Sequence, residues 1–291
     1  MRNADKGTVS FIRSKKSAGT IAKVFMYAIL LLWGVLIIIP LYWMLTSSIK
    51  PTSTLLSIPP ELFPRQITFQ HYMTMFSVEL MPRWFFNSVF VTGAIILLSV
   101  VFDSMAGYSY AIVKPVGYKI LFTIALGCLM VPDQIRLVPV FLLIKNLGLY
   151  NNYGALILPF AGPAFGMFLM RQYMSSISIE LIEAAKMEGC NEFNIYRKIV
   201  LPISKPVAAV ISIFFFVGTW NSLLWPMILT SSSEMRTYTV GLASFQSNNP
   251  TLYNYGVVMA GATISALPVI IIFLFLQKYF TKGITLGALK E

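Results

Sequence analysis

Hydrophobic positions in this chain gather into six long runs, separated by polar, charged or proline-rich segments. Val24–Leu45 contains no acidic or basic residue. About 20 apolar residues carry a helix across the hydrocarbon core of a bilayer. A cleaved signal peptide has a shorter apolar core and a small-residue cleavage site, so this run predicts a retained first span. Tyr42 and Trp43 at its far end read as interfacial aromatic anchors. Further spans are predicted at about 84–113, 120–144, 153–170, 206–229 and 256–276. Thr46–Arg83 holds Pro51, Pro59, Pro60, Pro64 and Pro82 and reads as a loop, with a short helix near Gln70–Phe76. The third run is interrupted by Pro132, Asp133, Arg136 and Pro139, which predicts a kink or an early exit into the headgroups. The fourth is rich in glycine and proline. Thr230–Tyr255 reads as a polar loop.

Charge orders these runs. The 291 residues include 22 Lys or Arg against 11 Asp or Glu, only 11% charged in all. A soluble domain carries about 25%. The basic residues lie between apolar runs, which favours a membrane over nucleic acid as the partner. Six spans place both termini on one side. With the N-terminus inside, the inner segments 1–23, 114–119, 171–205 and 277–291 hold 16 of the 22 basic residues. That asymmetry predicts cytoplasmic termini and a cytoplasmic loop 171–205. The expected organisation is a basic N-terminus at 1–23, a six-span domain at 24–280 and a tail at 281–291. Two distant cysteines, Cys128 and Cys190, and a single histidine, His71, argue against a zinc site, a disulfide framework or histidine-centred catalysis. No P-loop is present, so the chain does not hydrolyse nucleotide through one of its own.

Loop 171–205 is the most polar stretch after the N-terminus. Ser178 can cap a helix with Glu180 in its first turn, and Gly189 can supply the left-handed residue that ends it. Asn191 can cap a second helix, with Arg197 and Lys198 late in it and Leu201-Pro202 stopping it. Ala185 and Gly189 fall one turn apart, where small side chains would let another backbone approach. Phe193 and Tyr196 form a bulky pair on the second helix.

This helix–turn–helix resembles the EAA loop of ABC-importer permeases, whose pattern is Glu-Ala-Ala, three residues, Gly, nine residues, Ile-x-Leu-Pro. Glu183, Ala184, Ala185, Gly189, Ile199, Leu201 and Pro202 stand at those positions. Glu188, Cys190 and Ser178 replace the Asp, Ala and Pro usual in the family. Asn87-Ser88, Trp220-Asn221, Trp225-Pro226 and the segment from Gln277 to Gly283 extend the resemblance to the MalG-like permeases of carbohydrate importers. The resemblance implies an all-α integral membrane protein of the type I importer permease fold, with six transmembrane helices. It implies a non-catalytic subunit forming half of a pore for a sugar or oligosaccharide. The implied partners are a homologous second permease, two cytosolic ATPase subunits and an extracytoplasmic binding protein, in the bacterial inner membrane. No cofactor is expected on this chain; ATP and Mg belong to the ATPases. Helix Ser178–Glu188 would lie in a cleft of one ATPase, loop 230–255 would face the binding protein, and the tail Gly283–Glu291 would reach between the ATPases.

Asn87, Trp220 and Asn221 are candidates for the translocation path. For the two asparagines, hydrogen bonding between helices is the plainer reading. Asp103 is expected near the interface, paired with Lys114 or Lys119, rather than in a proton relay. Asp133 and Arg136 read as an outer-surface pair, and Cys190 as a small packed residue rather than a redox switch. A stand-alone secondary transporter or channel would want paired intramembrane charges or an inverted repeat, and neither is evident. A membrane enzyme would want a motif such as HExxH or GxSxG, which is absent. Both rivals leave the EAA loop unexplained.

Overall fold

The structure is a computed structural model. It describes residues 5–55, 57–77, 80–248 and 255–288, with side chains described in 23–55, 57–77, 80–244 and 255–278. Every regular element among these residues is helical. Three helices are long and apolar enough to cross a membrane, and three bent pairs pass the same test when each is taken as one span. Residues 1–4, 249–254 and 289–291, with parts of the expected N-terminus, outer loop and tail, lie outside the described residues.

The chain divides into two units. The first comprises residues 1–73 with 254–263. Its helix α1 (Asp5–Ser48) carries the first apolar run, and apolar side chains are exposed all round it. Such a helix is untenable in water and natural in lipid or against another subunit. Tyr42 donates to the Leu62 carbonyl (2.8 Å), and Trp43 donates to the Tyr255 hydroxyl (3.3 Å), so both aromatics also tie down this unit's own segments. Beyond α1, Lys50 is 1% exposed. Its ammonium donates to the Glu61 carbonyl and lies 4.6 Å from the Trp43 ring centroid. Helix α2 (Gln70–Phe76) begins in this unit, and its His71 ring bonds the Lys50 carbonyl at 2.7 Å.

The second unit, 74–253 with 264–291, is organised around α3 (Met81–Tyr108), which runs on through a π-turn at Ser109–Val113. Lys114 and Gly117 then turn in left-handed conformations into α4 (Tyr118–Cys128). The third span is not continuous over 120–144. α4 ends after 11 residues, about 16 Å at helical rise, and α5 (Asp133–Asn146) leaves at 103°. Pro132 takes an extended conformation that no helix can continue, and the Asp133–Arg136 pair behind it stays exposed, as its charge requires. α6 (Tyr153–Ile157), a 3₁₀ turn (Leu158–Phe160) and α7 (Ala164–Met174) form the fourth span, bent by 41°.

Helix α7 crosses α3 at two glycines. A Cβ on Gly107 would fall 2.5 Å from the Met170 Cβ, and one on Gly166 would fall 1.8 Å from Asp103 Oδ2. Small residues at a crossing let membrane helices approach backbone to backbone. Asp103 therefore does not reach Lys114 or Lys119. It is 1% exposed, packed on Gly166, and its Oδ2 has no hydrogen-bond partner in the chain.

Within segment 171–205, helices α8 (Ile179–Met187), α9 (Glu192–Ile195) and α10 (Leu201–Ile203) follow. The fifth run is α11 (Lys205–Trp220), a break at 221–223 and α12 (Leu224–Leu229), rather than one helix over 206–229. Segment 230–255 is not simply a loop: it holds a 3₁₀ turn (Ser233–Met235) and α13 (Tyr238–Asn248). α14 (Tyr255–Ala288) closes the chain.

Candidate functional site

The helix pair of 171–205 has an inner and an outer face. Ile182, Ala185, Ile195 and Val200 are buried with Met170 and Met174 of α7 and Ile211 of α11. Ala185 thus packs within its own chain rather than offering itself to another backbone. Cys190 packs against the same cluster. The outer face carries Glu183 and Ala184, with Met187 at 89% and Phe193 at 62% exposure. Apolar side chains so bare at the end of a polar loop are the mark of a surface meant to be covered.

The turn is built as its sequence suggests. Gly189 has φ +81° with nothing within 4 Å of a Cβ placed there, and Asn191 Oδ1 accepts from the Asn194 N–H at 2.8 Å. Two details differ. Ser178 occupies the N-cap position, but its hydroxyl donates to the Glu180 carboxylate instead of capping the helix, and that bond holds Glu180 below its usual pKa. Leu201-Pro202 does not stop the second helix. A π-turn over Tyr196–Val200 absorbs the extra residue, the helix continues to Ile203, and the chain turns by 71° at buried Ser204 into α11. Pro202 follows directly on the π-turn and has no N–H with which to extend its hydrogen-bond ladder.

The pair is tied to the C-terminal end of α3. The Tyr108 hydroxyl donates to Glu192 Oε2 (2.5 Å), and Lys186 pairs with Glu192 Oε1 (2.7 Å). The Tyr196 hydroxyl shares a hydrogen bond with Ser104 (2.8 Å), and the Tyr108 and Tyr196 ring centroids lie 5.4 Å apart. Half-buried Tyr196 therefore points inward, and only Phe193 of that pair faces out. Ile199 packs on the cluster, Leu201 is half-buried and Pro202 is exposed. Sequence reasoning missed Ser104 and Tyr108. Polar residues late in an apolar span were the available signal.

The path candidates separate. Asn87 is fully buried. Its amide donates to the Glu234 and Arg236 carbonyls, both at 2.8 Å, and its oxygen accepts from the Tyr153 hydroxyl at 2.7 Å. Trp84 donates to the Ser233 carbonyl (2.6 Å), and Ser88 accepts from the Tyr238 N–H (2.8 Å). These residues pin segment 233–238 onto the N-terminal end of α3. Trp220 is 1% exposed, stacked on Phe216, with its indole N–H on the Ser265 carbonyl (3.0 Å). Asn221 is exposed at the break after α11, its amide donating to the Val217 carbonyl (2.9 Å). Among the described residues no cluster could hold a metal ion.

Broken apolar helices with a polar helix pair fastened at one end of the bundle define a permease-type integral membrane protein. The chain belongs to the family described as the binding-protein-dependent transport system inner membrane component, whose pattern matches residues 103–286. It is 36% identical over 260 residues to the arabinooligosaccharides transport system permease protein AraQ of Bacillus subtilis (strain 168), covering 88% of this chain and 92% of that one. It is 29% identical over 266 residues to the diacetylchitobiose uptake system permease protein NgcG of Streptomyces coelicolor, covering 91% and 88%. A solved bacterial ABC transporter involved in the import of the acidic polysaccharide alginate contains a similar chain. The two match with a TM-score of 0.78 and 26% identity over 92% of this chain and 98% of that one.

Proposed function

We propose that the chain is the permease subunit of an ATP-driven carbohydrate importer, coupled to cytosolic ATPase subunits through the outer face of α8 and α9. The observation that carries this reading is the exposed Met187–Phe193 face, set beside Glu183 and Ala184 at the family spacing and fastened to α3 through Tyr108 and Tyr196. Relatives whose names specify arabinooligosaccharides and diacetylchitobiose support a sugar or oligosaccharide as cargo. The excess of basic residues in the inner segments supports cytoplasmic termini.

In this reading the chain forms half of the pore with a homologous permease, and an extracytoplasmic binding protein delivers the sugar. ATP and Mg are bound by the ATPases. ATP binding favours one of two packings, and the helix pair passes that preference to α3, α7 and α11. Of the path candidates, Asn221 is the one with an exposed side chain, while Asn87 and Trp220 hold the frame around it. Segment 230–255 faces the binding protein. The test is to purify the tagged chain from membranes in mild detergent. A second permease and an ATPase recovered in stoichiometric amounts, with ATP hydrolysis stimulated by a binding protein, is the expected result. A lone chain that still moves solute in liposomes overturns the reading.

A further inference from the structure

In the first unit the chain doubles back on the span it has just left. The spanning part of α1 ends at Ser48. Segment 57–71 is rooted against that end. The Thr68 N–H donates to the Ile49 carbonyl (2.8 Å), the buried Lys50 ammonium donates to the Glu61 carbonyl, and the His71 ring bonds the Lys50 carbonyl. Between Glu61 and Thr68 the tip of the loop reaches further back along the helix. The Tyr42 hydroxyl donates to the Leu62 carbonyl (2.8 Å), and the Tyr42 and Phe63 rings meet edge to face with centroids 6.1 Å apart. Tyr42 stands six residues before Ser48, about 9 Å back along the axis at helical rise. Helical side chains lean further still toward the N-terminus. The uncharged stretch Val24–Leu41 covers 18 residues, about 27 Å, close to the ~30 Å thickness of a hydrocarbon core. Tyr42 therefore stands at the edge of that core. Leu62 and Phe63 stand at the same level, although neither belongs to a spanning helix.

The side chains at the tip suit that level. Phe63 is 75% exposed and Leu62 is 58% exposed. Apolar side chains this bare mark a surface that something covers. Depth selects the cover: at the edge of the hydrocarbon core, aromatic and aliphatic side chains enter the boundary between headgroups and acyl chains. Arg65 brings a cation to the same tip, with its side chain 91% exposed and its Nε 3.4 Å from Glu61 Oε1. Long basic side chains at this level keep an apolar stem in lipid and a charged head among the headgroups. The turn past the end of the helix, Thr52–Thr54, is different in character: it is wholly polar, with Ser53 exposed, as a segment in water should be.

We infer that the tip of segment 57–71 is a lipid-binding surface, seated in the headgroup boundary on the side of the bilayer where the first span ends, with Leu62 and Phe63 as its apolar anchors and Arg65 as its contact to lipid phosphate. The experiment uses the complete complex purified through this chain and reconstituted in phospholipid vesicles. p-Acetylphenylalanine is encoded in place of Leu62 or Phe63 and carries a nitroxide, which leaves every cysteine in place. The same label in place of Leu36, on the exposed apolar face of α1, gives the lipid reference, and in place of Ser53 the water reference. Power-saturation electron paramagnetic resonance then compares collisions with oxygen, which concentrates in lipid, and with a water-soluble nickel chelate. The expected result is a ratio of oxygen to nickel collisions at positions 62 and 63 several-fold above that at Ser53 and below that at Leu36. A ratio at both positions equal to that at Ser53 places the tip in water and overturns the proposal. Low collision rates with both reagents also overturn it, because the tip is then covered by protein, as a second permease packed on this loop would cover it. Should the label at position 63 prevent assembly, position 62 alone decides by the same criteria.

Discussion

Substituting Gly189 separates two reasons for a glycine in the α8–α9 turn. Its φ of +81° is a left-handed conformation, and the space where a Cβ would stand is empty within the chain. Taken alone, Gly189→Ala therefore carries only backbone strain, about 1–2 kcal/mol, a factor of about 5–30 in the local equilibrium. Asn occupies the left-handed region several-fold more readily than most residues, so Gly189→Asn strains the turn less while adding a larger side chain. If the turn is buried against an ATPase subunit, the order of damage follows size and charge: Asp worst, Asn next, Ala mildest. If backbone conformation is all that matters, Ala is worse than Asn. The assay is the amount of ATPase retained on the purified permease, with binding-protein-stimulated hydrolysis measured on the same preparation. The account predicts strong loss for Gly189→Asp, intermediate loss for Gly189→Asn and near-normal retention for Gly189→Ala. Damage by Ala exceeding that by Asn, or full retention in all three, refutes the claim that a partner packs here.

Other consequences follow from the same contacts. Tyr108→Phe removes a charge-assisted hydrogen bond to Glu192 worth about 1.5–3 kcal/mol; coupled uptake should fall while α3 still inserts, and a double-mutant cycle with Glu192→Gln should show that the two losses do not add. Asn87→Ala leaves the Glu234 and Arg236 carbonyls and the Tyr153 hydroxyl without their partner; the expected loss is about 2 kcal/mol, read as a lower melting temperature of the detergent-solubilised complex. Gly166→Val drives a side chain into Asp103 and Phe215, and the recovery of assembled complex should collapse. Glu183→Lys reverses a charge on the exposed face, so ATPase coupling should weaken with membrane insertion intact; loss of insertion would assign the residue to folding.

Much of this architecture is legible in the residue pattern because membrane insertion writes it in long apolar runs. Helix α2 at Gln70–Phe76 and the left-handed Gly189 are equally legible, since each depends on local signals. What pattern reading misses depends on tertiary contact. The 103° bend at Pro132 brings α5 against α12, a tertiary contact that periodicity does not show, and the continuation of the second helix past Pro202 needs a π-turn that no propensity announces. Asp103 is placed by the α3–α7 glycine crossing rather than by the nearest lysine in sequence. The outer and inner faces of α8 could not be told apart from spacing alone: Ala185 belongs to the core and Ala184 to the surface, although both stand in the same motif.

The most direct test of the central claim is photo-crosslinking from the helix pair itself. A benzophenone amino acid in place of Met187 or Phe193, the two most exposed apolar positions of the α8–α9 face, is activated in membranes and its partner identified by mass spectrometry. The account predicts an adduct with an ATP-binding-cassette subunit at both positions, with a yield that changes when ATP is bound. Adducts with lipid alone, or none at either position while transport continues, would contradict it.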